Sequence, residues 1–133
     1  MVYNKFVPKY NVIVPTDVNP KPESFEISAA AIVAEHFKSD AKFIKRTQTK
    51  TADITVGNIM WEIKSPTGRG KRNIQHQFYR ALKQSPNIIF DARRSKIHIT
   101  KIRRELEKQY QMSKSIKRLV LITKEKKVVV FSR

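Results

Sequence analysis

Residues 52–64 read Ala-Asp-Ile-Thr-Val-Gly-Asn-Ile-Met-Trp-Glu-Ile-Lys, two runs of alternating apolar and polar residues on either side of Gly57-Asn58. Such a dipeptide between alternating runs signals a tight β-hairpin, because the favoured two-residue turn holds both central residues at positive φ. The turn also sets the register: Val56 faces Ile59, Thr55 faces Met60, Ile54 faces Trp61, and Asp53 faces Glu62. Ile54, Val56, Ile59, Trp61 and Ile63 then form one wholly apolar, core-directed face. Asp53, Glu62 and Lys64 emerge together on the other. Cβ atoms of directly opposed residues lie about 5 Å apart, where two carboxylates at an effective dielectric near 20 repel by roughly 3 kcal/mol. The pair therefore asks for a cation. With only oxygen ligands in play, a hard ion, Mg²⁺ or Mn²⁺, is expected on Asp53 and Glu62. The plain alternative is a solvated hairpin face held by a Glu62–Lys64 ion pair.

Upstream of the hairpin, residues 1–22 carry Pro8, Pro15, Pro20 and Pro22, which predicts an extended arm with at most a short strand at 10–14. The alanine-rich run Glu23 to Phe37 has helical phase, and Lys42 to Arg46 reads as a short strand. Downstream, Pro66 to Lys71 is a loop, Arg72 to Gln84 returns to a helical period, and Asn87 to Asp91 (NIIFD) reads as a buried strand. Thr100 can cap a charged helix running to about Met112, and RLVLIT and KVVVFS around residues 124–126 predict a terminal hairpin. The expected order is αβββαβ followed by αββ: an α/β fold with a mixed sheet, in one domain over residues 1–133. It divides into an arm (1–22), a catalytic core (23–92), and a basic helix with a closing hairpin (93–133).

With 28 Lys and Arg against 11 Asp and Glu, the formal net charge is +17. That matches the electrostatic footprint of a nucleic-acid binder, far beyond what solubility requires. The basic residues are spread along the chain, which argues against a membrane-surface helix. There is no cysteine, which excludes disulfides and thiolate metal sites. No apolar stretch is long enough to cross a bilayer and the N-terminus lacks a signal-type apolar region, so the expected site of action is the cytoplasm.

Further candidates flank the hairpin. Glu26 shares a helical stripe with Ala30, Val33 and Phe37, so it is expected on the core side, completing the metal site; Glu35 lies about 180° away and is expected in solvent. As a first-turn glutamate, Glu26 could equally serve the helix dipole. Asn73, Gln77, Arg80 and Gln84 form a stripe suited to phosphate and ribose, and Arg69, Lys71 and Arg72 lead into that helix, where its N-terminus favours an anion. The three histidines, His36, His76 and His98, fall on different segments, which argues against metal-free cleavage by paired imidazoles.

Asp53, then eight residues, then Glu62-Ile63-Lys64, placed after a helix with Glu26 and before another helix and strand, resembles the PD-(D/E)XK nuclease superfamily. The usual proline before the aspartate is replaced by Ala52. The run Glu26 to Ala34 (EISAAAIVA), the stretch Trp61 to Pro66 (WEIKSP), and Gln84 before NIIFD look like the tRNA-cleaving C-terminal domains of contact-dependent growth inhibition toxins. That resemblance implies a restriction-endonuclease-like core, metal on Asp53, Glu62 and Glu26, and Lys64 orienting water or stabilising charge. It also implies tRNA as substrate and an acidic immunity partner, with no small-molecule cofactor. A DNA endonuclease of a mobile element or restriction system is the alternative substrate reading. A non-catalytic basic nucleic-acid-binding protein is the alternative class, though two opposed acids would only repel its ligand.

Overall fold

The computed structural model describes residues 9–45, 52–68, 70 and 72–133. In chain order the elements are β1 (Val12–Ile13), α1 (Ser24–Phe37), β2 (Ala41–Phe43), β3 (Ile54–Val56), β4 (Ile59–Lys64), α2 (Asn73–Leu82), β5 (Asn87–Asp91), α3 (Ile99–Met112), β6 (Arg118–Ile122) and β7 (Val128–Val130). The strands form one seven-stranded mixed sheet in sequential order. The β1–β2, β4–β5 and β5–β6 pairs are parallel and the others antiparallel. The expected αβββαβ core and terminal hairpin are both present, with β1 added at the sheet edge.

Each face of the sheet has its own core. On one, α1 lays Ala29, Ala30, Val33 and Ala34 against Ile54, Val56, Trp61, Ile63, Ile89 and Val120. The small alanines let the helix approach the sheet closely, and three of them are fully buried. On the other, α2 contributes Ile74, Phe78 and Ala81, and α3 contributes Ile102, Leu106 and Tyr110, against Ile88, Phe90, Leu119 and Leu121. The α3 residues recur every fourth position, a single helical stripe. Burying each such side chain stabilises the fold by roughly 1.5–3 kcal/mol.

The β3–β4 register is the expected one, with Ile54 opposite Trp61, Thr55 opposite Met60 and Val56 opposite Ile59. Gly57 and Asn58 have φ of 59° and 63°, as the turn requires. The strand begins at Ile54 and not at Ala52, and the expected pairing of Asp53 opposite Glu62 is corrected: Asp53 N–H donates to the Trp61 carbonyl at 2.9 Å, while Ile63 N–H donates to Asp53 Oδ2 at 2.7 Å. Two other expectations are corrected. The cap of α3 is His98, whose Nδ1 accepts Thr100 N–H at 3.2 Å, so Thr100 is already inside the helix. Helix α2 ends at Leu82, leaving Gln84 in the turn that follows. Part of the strand expected at 42–46 falls at Arg46, outside the described residues, and the observed strand is Ala41–Phe43.

Candidate active site

The β4–β5 pairing sets Glu62 beside Ile88 and Lys64 beside Phe90. Ile88 and Phe90 belong to the α2/α3 core, so Glu62 and Lys64 point to that face. Trp61 and Ile63, between and before them, point to the α1 face. The apolar half of the hairpin thus fixes the strand and presents the polar half under α2, where Phe78 stacks on Phe90 with centroids 6.2 Å apart.

Glu62 is only 5% exposed. Lys64 Nζ approaches its Oε2 at 3.2 Å. Its other oxygen, Oε1, is buried with no hydrogen-bond partner among the described residues. Burial is the main force pushing the Glu62 carboxyl up to about 8; the nearby Asp53 charge pushes it the same way, and Lys64 only partly opposes them. Asp53 is oriented by the Ile63 N–H, and a side-chain hydrogen bond between Asp53 and Glu62 adds to the upward push on Glu62. The expected Asp53, Glu62 and Lys64 constellation is therefore assembled.

Glu26 lies on α1. Its helix covers the opposite face of the sheet, it is half-buried, and its Oε1 accepts Glu23 N–H at 2.9 Å in a capping box. Among the described residues no three His, Asp or Glu side chains gather closely enough to share a metal. Glu35 is exposed as expected, yet it has work to do: its Oε1 accepts Lys9 N–H at 2.9 Å and holds the arm to α1. On the α2 side, Asn73, Gln77 and Gln84 are half-buried, and Arg72 and Arg80 exposed. Gly68 lies so close to Asn73 that a Cβ there would meet Asn73 Nδ2 at 2.8 Å, folding the loop over the helix N-terminus. Arg69 and Lys71 lie outside the described residues.

The sequence reading missed a second buried acid. Asp91, fully buried at the end of β5, is held by Arg93 through Nε to Oδ1 at 2.9 Å and Nη2 to Oδ2 at 2.8 Å. Arg93 also donates to Ser28 Oγ at 2.6 Å and to the Phe25 carbonyl at 3.1 Å, tying β5 to the start of α1. Ser65, next to Lys64, reaches Asp91 Oδ2 at 3.4 Å and accepts Arg94 Nη2 at its carbonyl at 3.2 Å. A fully buried five-residue strand ending in an acid, with two arginines just beyond it, was the available signal.

The model of the contact-dependent growth inhibition CdiA C-terminal domain matches residues 50–128. The chain belongs to that family. These CdiA C-terminal domains are toxic effectors, and the chain is similar in fold to a solved relative, the CdiA-CT/CdiI toxin and immunity complex from Burkholderia pseudomallei. That likeness has a TM-score of 0.66 at 16% identity and covers 92% of this chain and 99% of the other. Among curated proteins none matches the sequence. Among the described residues no helix of this CdiA domain is long and apolar enough to cross a membrane.

Proposed function

We propose that this CdiA C-terminal domain is a metal-dependent endonuclease of the PD-(D/E)XK type, acting on tRNA in the cytoplasm of a recipient cell. The observation that carries the reading is the buried Oε1 of Glu62, without a hydrogen-bond partner among the described residues, beside Asp53 and with Lys64 on the same face, in a chain of net charge +17. A buried acceptor without a donor costs about 1–3 kcal/mol, and a divalent cation would meet that oxygen while offsetting the repulsion from Asp53. Asp53 and Glu62 fit such an ion, and Mg²⁺ or Mn²⁺ suits an all-oxygen donor set. When bound, it would polarise the scissile phosphate and activate water. Lys64, partly exposed, is placed to hold the charge that develops on phosphate oxygens. The Ile63 N–H fixes the Asp53 carboxylate. The wider basic surface, with exposed Arg72, Arg80 and Arg94, draws in the polyanion.

tRNA is preferred to DNA because residues 26–34, 61–66 and 84–91 resemble tRNA-cleaving toxins of this kind. The Burkholderia relative is a toxin with its immunity protein, which supports an immunity partner here; the net charge of +17 calls for an acidic one, and the cleft between α2 and the β3–β4 hairpin is the surface it would cover. The deciding experiment incubates the domain with total tRNA and with plasmid DNA, each with Mg²⁺ or excess EDTA, alongside Glu62→Gln. The expected result is tRNA cleavage that disappears in EDTA and in the variant while binding persists. Undiminished cleavage in EDTA removes the metal, cleavage of plasmid alone moves the substrate to DNA, and tight binding without cleavage of either makes the chain a binding module.

A further inference from the structure

Strand β4 begins before its neighbour: the Glu62–Ile88 register places Trp61 beside Asn87, the first residue of β5, so Ile59 and Met60, paired with β3 on one side, overhang β5 on the other. The overhang is closed by side chains. Ser85 Oγ and Asn87 Nδ2 both donate to the Met60 carbonyl at 3.0 Å, and Arg118 Nη1 donates to Asn87 Oδ1 at 3.3 Å. Ser85 and Asn87 are almost fully buried, so this floor is rigid. Above it lies a cavity of about 400 Å³ walled by Ala52, Asn58, Met60, Gln84 and Arg118.

Three features give this cavity a ligand chemistry. Met60, a flexible thioether suited to packing on an aromatic face, is 56% exposed at its wall. Among the described residues the side-chain amides of Asn58 and Gln84 have no hydrogen-bond partner, which leaves two donor–acceptor groups of the kind that read a base edge. Arg118, engaged through one nitrogen only, keeps donors for a phosphate or a carbonyl. The position matters as much. Met60 precedes Glu62 by two residues on the same face of β4, about 6.7 Å along the strand, comparable to one step of an extended nucleotide chain. A second cavity, about 510 Å³, is walled by Phe37 and Trp61 from the α1 side and by Tyr110 and Phe131 from the α3 side, and neither Glu62 nor Lys64 lines it.

We propose that the Met60–Gln84–Arg118 cavity is a nucleobase subsite that holds one unstacked base next to the scissile phosphate and selects where the strand is cut. The proposal rests on the nuclease reading for its place beside the chemistry. It accounts for a feature that charge alone leaves unexplained, a pocket lined by the amides of Asn58 and Gln84 beside one arginine in so basic a protein. Sequence-specific recognition of RNA commonly uses single-stranded bases that are stacked on a side chain and hydrogen-bonded at their edges.

The test separates base recognition from cleavage. Four hexaribonucleotides that differ only in one central base, and a fifth that is abasic there, are titrated with the domain and with Met60→Ala, Gln84→Ala and Lys114→Ala, a control at an exposed lysine outside the cavity lining. Thermal melts confirm that each variant folds. Wild type is expected to bind at least one base-bearing hexamer about tenfold more tightly than the abasic one. Met60→Ala and Gln84→Ala should bring that ratio within about twofold, while Lys114→Ala weakens all five equally and leaves the ratio intact. In cleavage assays at the mapped cut site the two subsite variants should raise KM far more than they lower kcat. Five equal affinities for wild type, or an unchanged ratio in Gln84→Ala, would overturn the subsite even if tRNA is cut. A base-dependent ratio in a protein that cuts nothing would overturn the nuclease reading and leave base binding established.

Discussion

Two buried acid–base pairs lie on neighbouring parallel strands, and they differ in completeness. Asp91 on β5 has both oxygens engaged by the Arg93 guanidinium, a main-chain N–H on Oδ1 at 3.1 Å, and Ser65. Glu62 on β4 has one oxygen at Lys64 and the other with no donor among the described residues, beside a second carboxylate. A buried charge whose hydrogen bonds are all made serves the fold. One left incomplete and crowded by like charge is held against electrostatic preference, which is the mark of a site waiting for a ligand. Arginine suits the first role through its planar fork, and lysine, a mobile point charge, suits the second.

If that contrast is right, the largest effect on stability belongs to the complete pair. Arg93→Ala strands a fully buried carboxylate and should destabilise the protein by about 3–5 kcal/mol, read as a drop in denaturation midpoint. A loss below about 1 kcal/mol would erase the distinction. Glu62→Gln should do the reverse, lowering tRNA cleavage at least about 100-fold, or about 2.7 kcal/mol, without lowering stability in EDTA. An active Glu62→Gln, or one that melts well below wild type, makes the β4 pair structural as well.

A third prediction sharpens the comparison through pH. Unfolded Glu62 titrates near 4.5 and folded Glu62 near 8, so across that window the folded state keeps a proton that the unfolded state has lost. Stability from this group is fully present below 4.5 and falls as pH rises toward 8. Metal-free wild type should therefore lose on the order of 3 kcal/mol relative to Glu62→Gln between pH 5 and 8. Glu105 moves oppositely: hydrogen bonds from Gln109 and Gln75 lower its pKa, so its contribution fades only as pH falls toward and below 4.5, outside the window. Adding Mg²⁺ at pH 8 should raise the wild-type melting temperature and leave that of Glu62→Gln unchanged. A wild-type curve parallel to the variant's would mean that Glu62 is not strained.

The parts of this molecule readable in the sequence are those fixed by local chemistry. Gly57-Asn58 can adopt the turn that sets one register, so the pairing of Ile54 with Trp61 followed from counting residues, whereas Asp53 leaves that register by donating its N–H to the Trp61 carbonyl. The NIIFD strand announced itself by apolar continuity, and all five residues are buried. What escaped depends on partners distant in sequence. Arg93 reaches Ser28 across 65 positions, which no periodicity encodes. The cavity beside Met60 exists because β4 and β5 start at different levels, a stagger that no single segment carries. The cap at His98 was misplaced for a smaller reason: Thr100 is the commoner capping type, and only the loop geometry turns the imidazole onto its N–H.

Glu26 is where sequence phase and structure pull apart, and it carries the smallest predicted effect. The helical stripe placed it toward the core with Ala30 and Val33. In the fold α1 covers the other face of the sheet from Glu62, and Glu26 closes a capping box on Glu23 N–H. Its helix nevertheless starts at the sheet end where β4 finishes, since Arg93 bonds the Phe25 carbonyl and Arg94, whose guanidinium lies 3.6 Å over the Phe25 ring, bonds the Ser65 carbonyl. A capping role and a catalytic role make different demands on the side chain. Glutamine closes a capping box as glutamate does, so a purely structural Glu26 predicts that Glu26→Gln keeps full activity and that Glu26→Ala loses about 0.5–1 kcal/mol of stability. A metal-directed Glu26 predicts at least about a tenfold loss of cleavage in Glu26→Gln, or about 1.4 kcal/mol, with stability unchanged and partial recovery at high Mg²⁺. Glu35→Gln is the matched control on the same helix, since its carboxylate tethers the arm and not the site. The geometry favours the capping outcome: full cleavage by Glu26→Gln at saturating Mg²⁺, with a lowered melting temperature in Glu26→Ala alone, would leave Asp53, Glu62 and Lys64 as the group that does the chemistry.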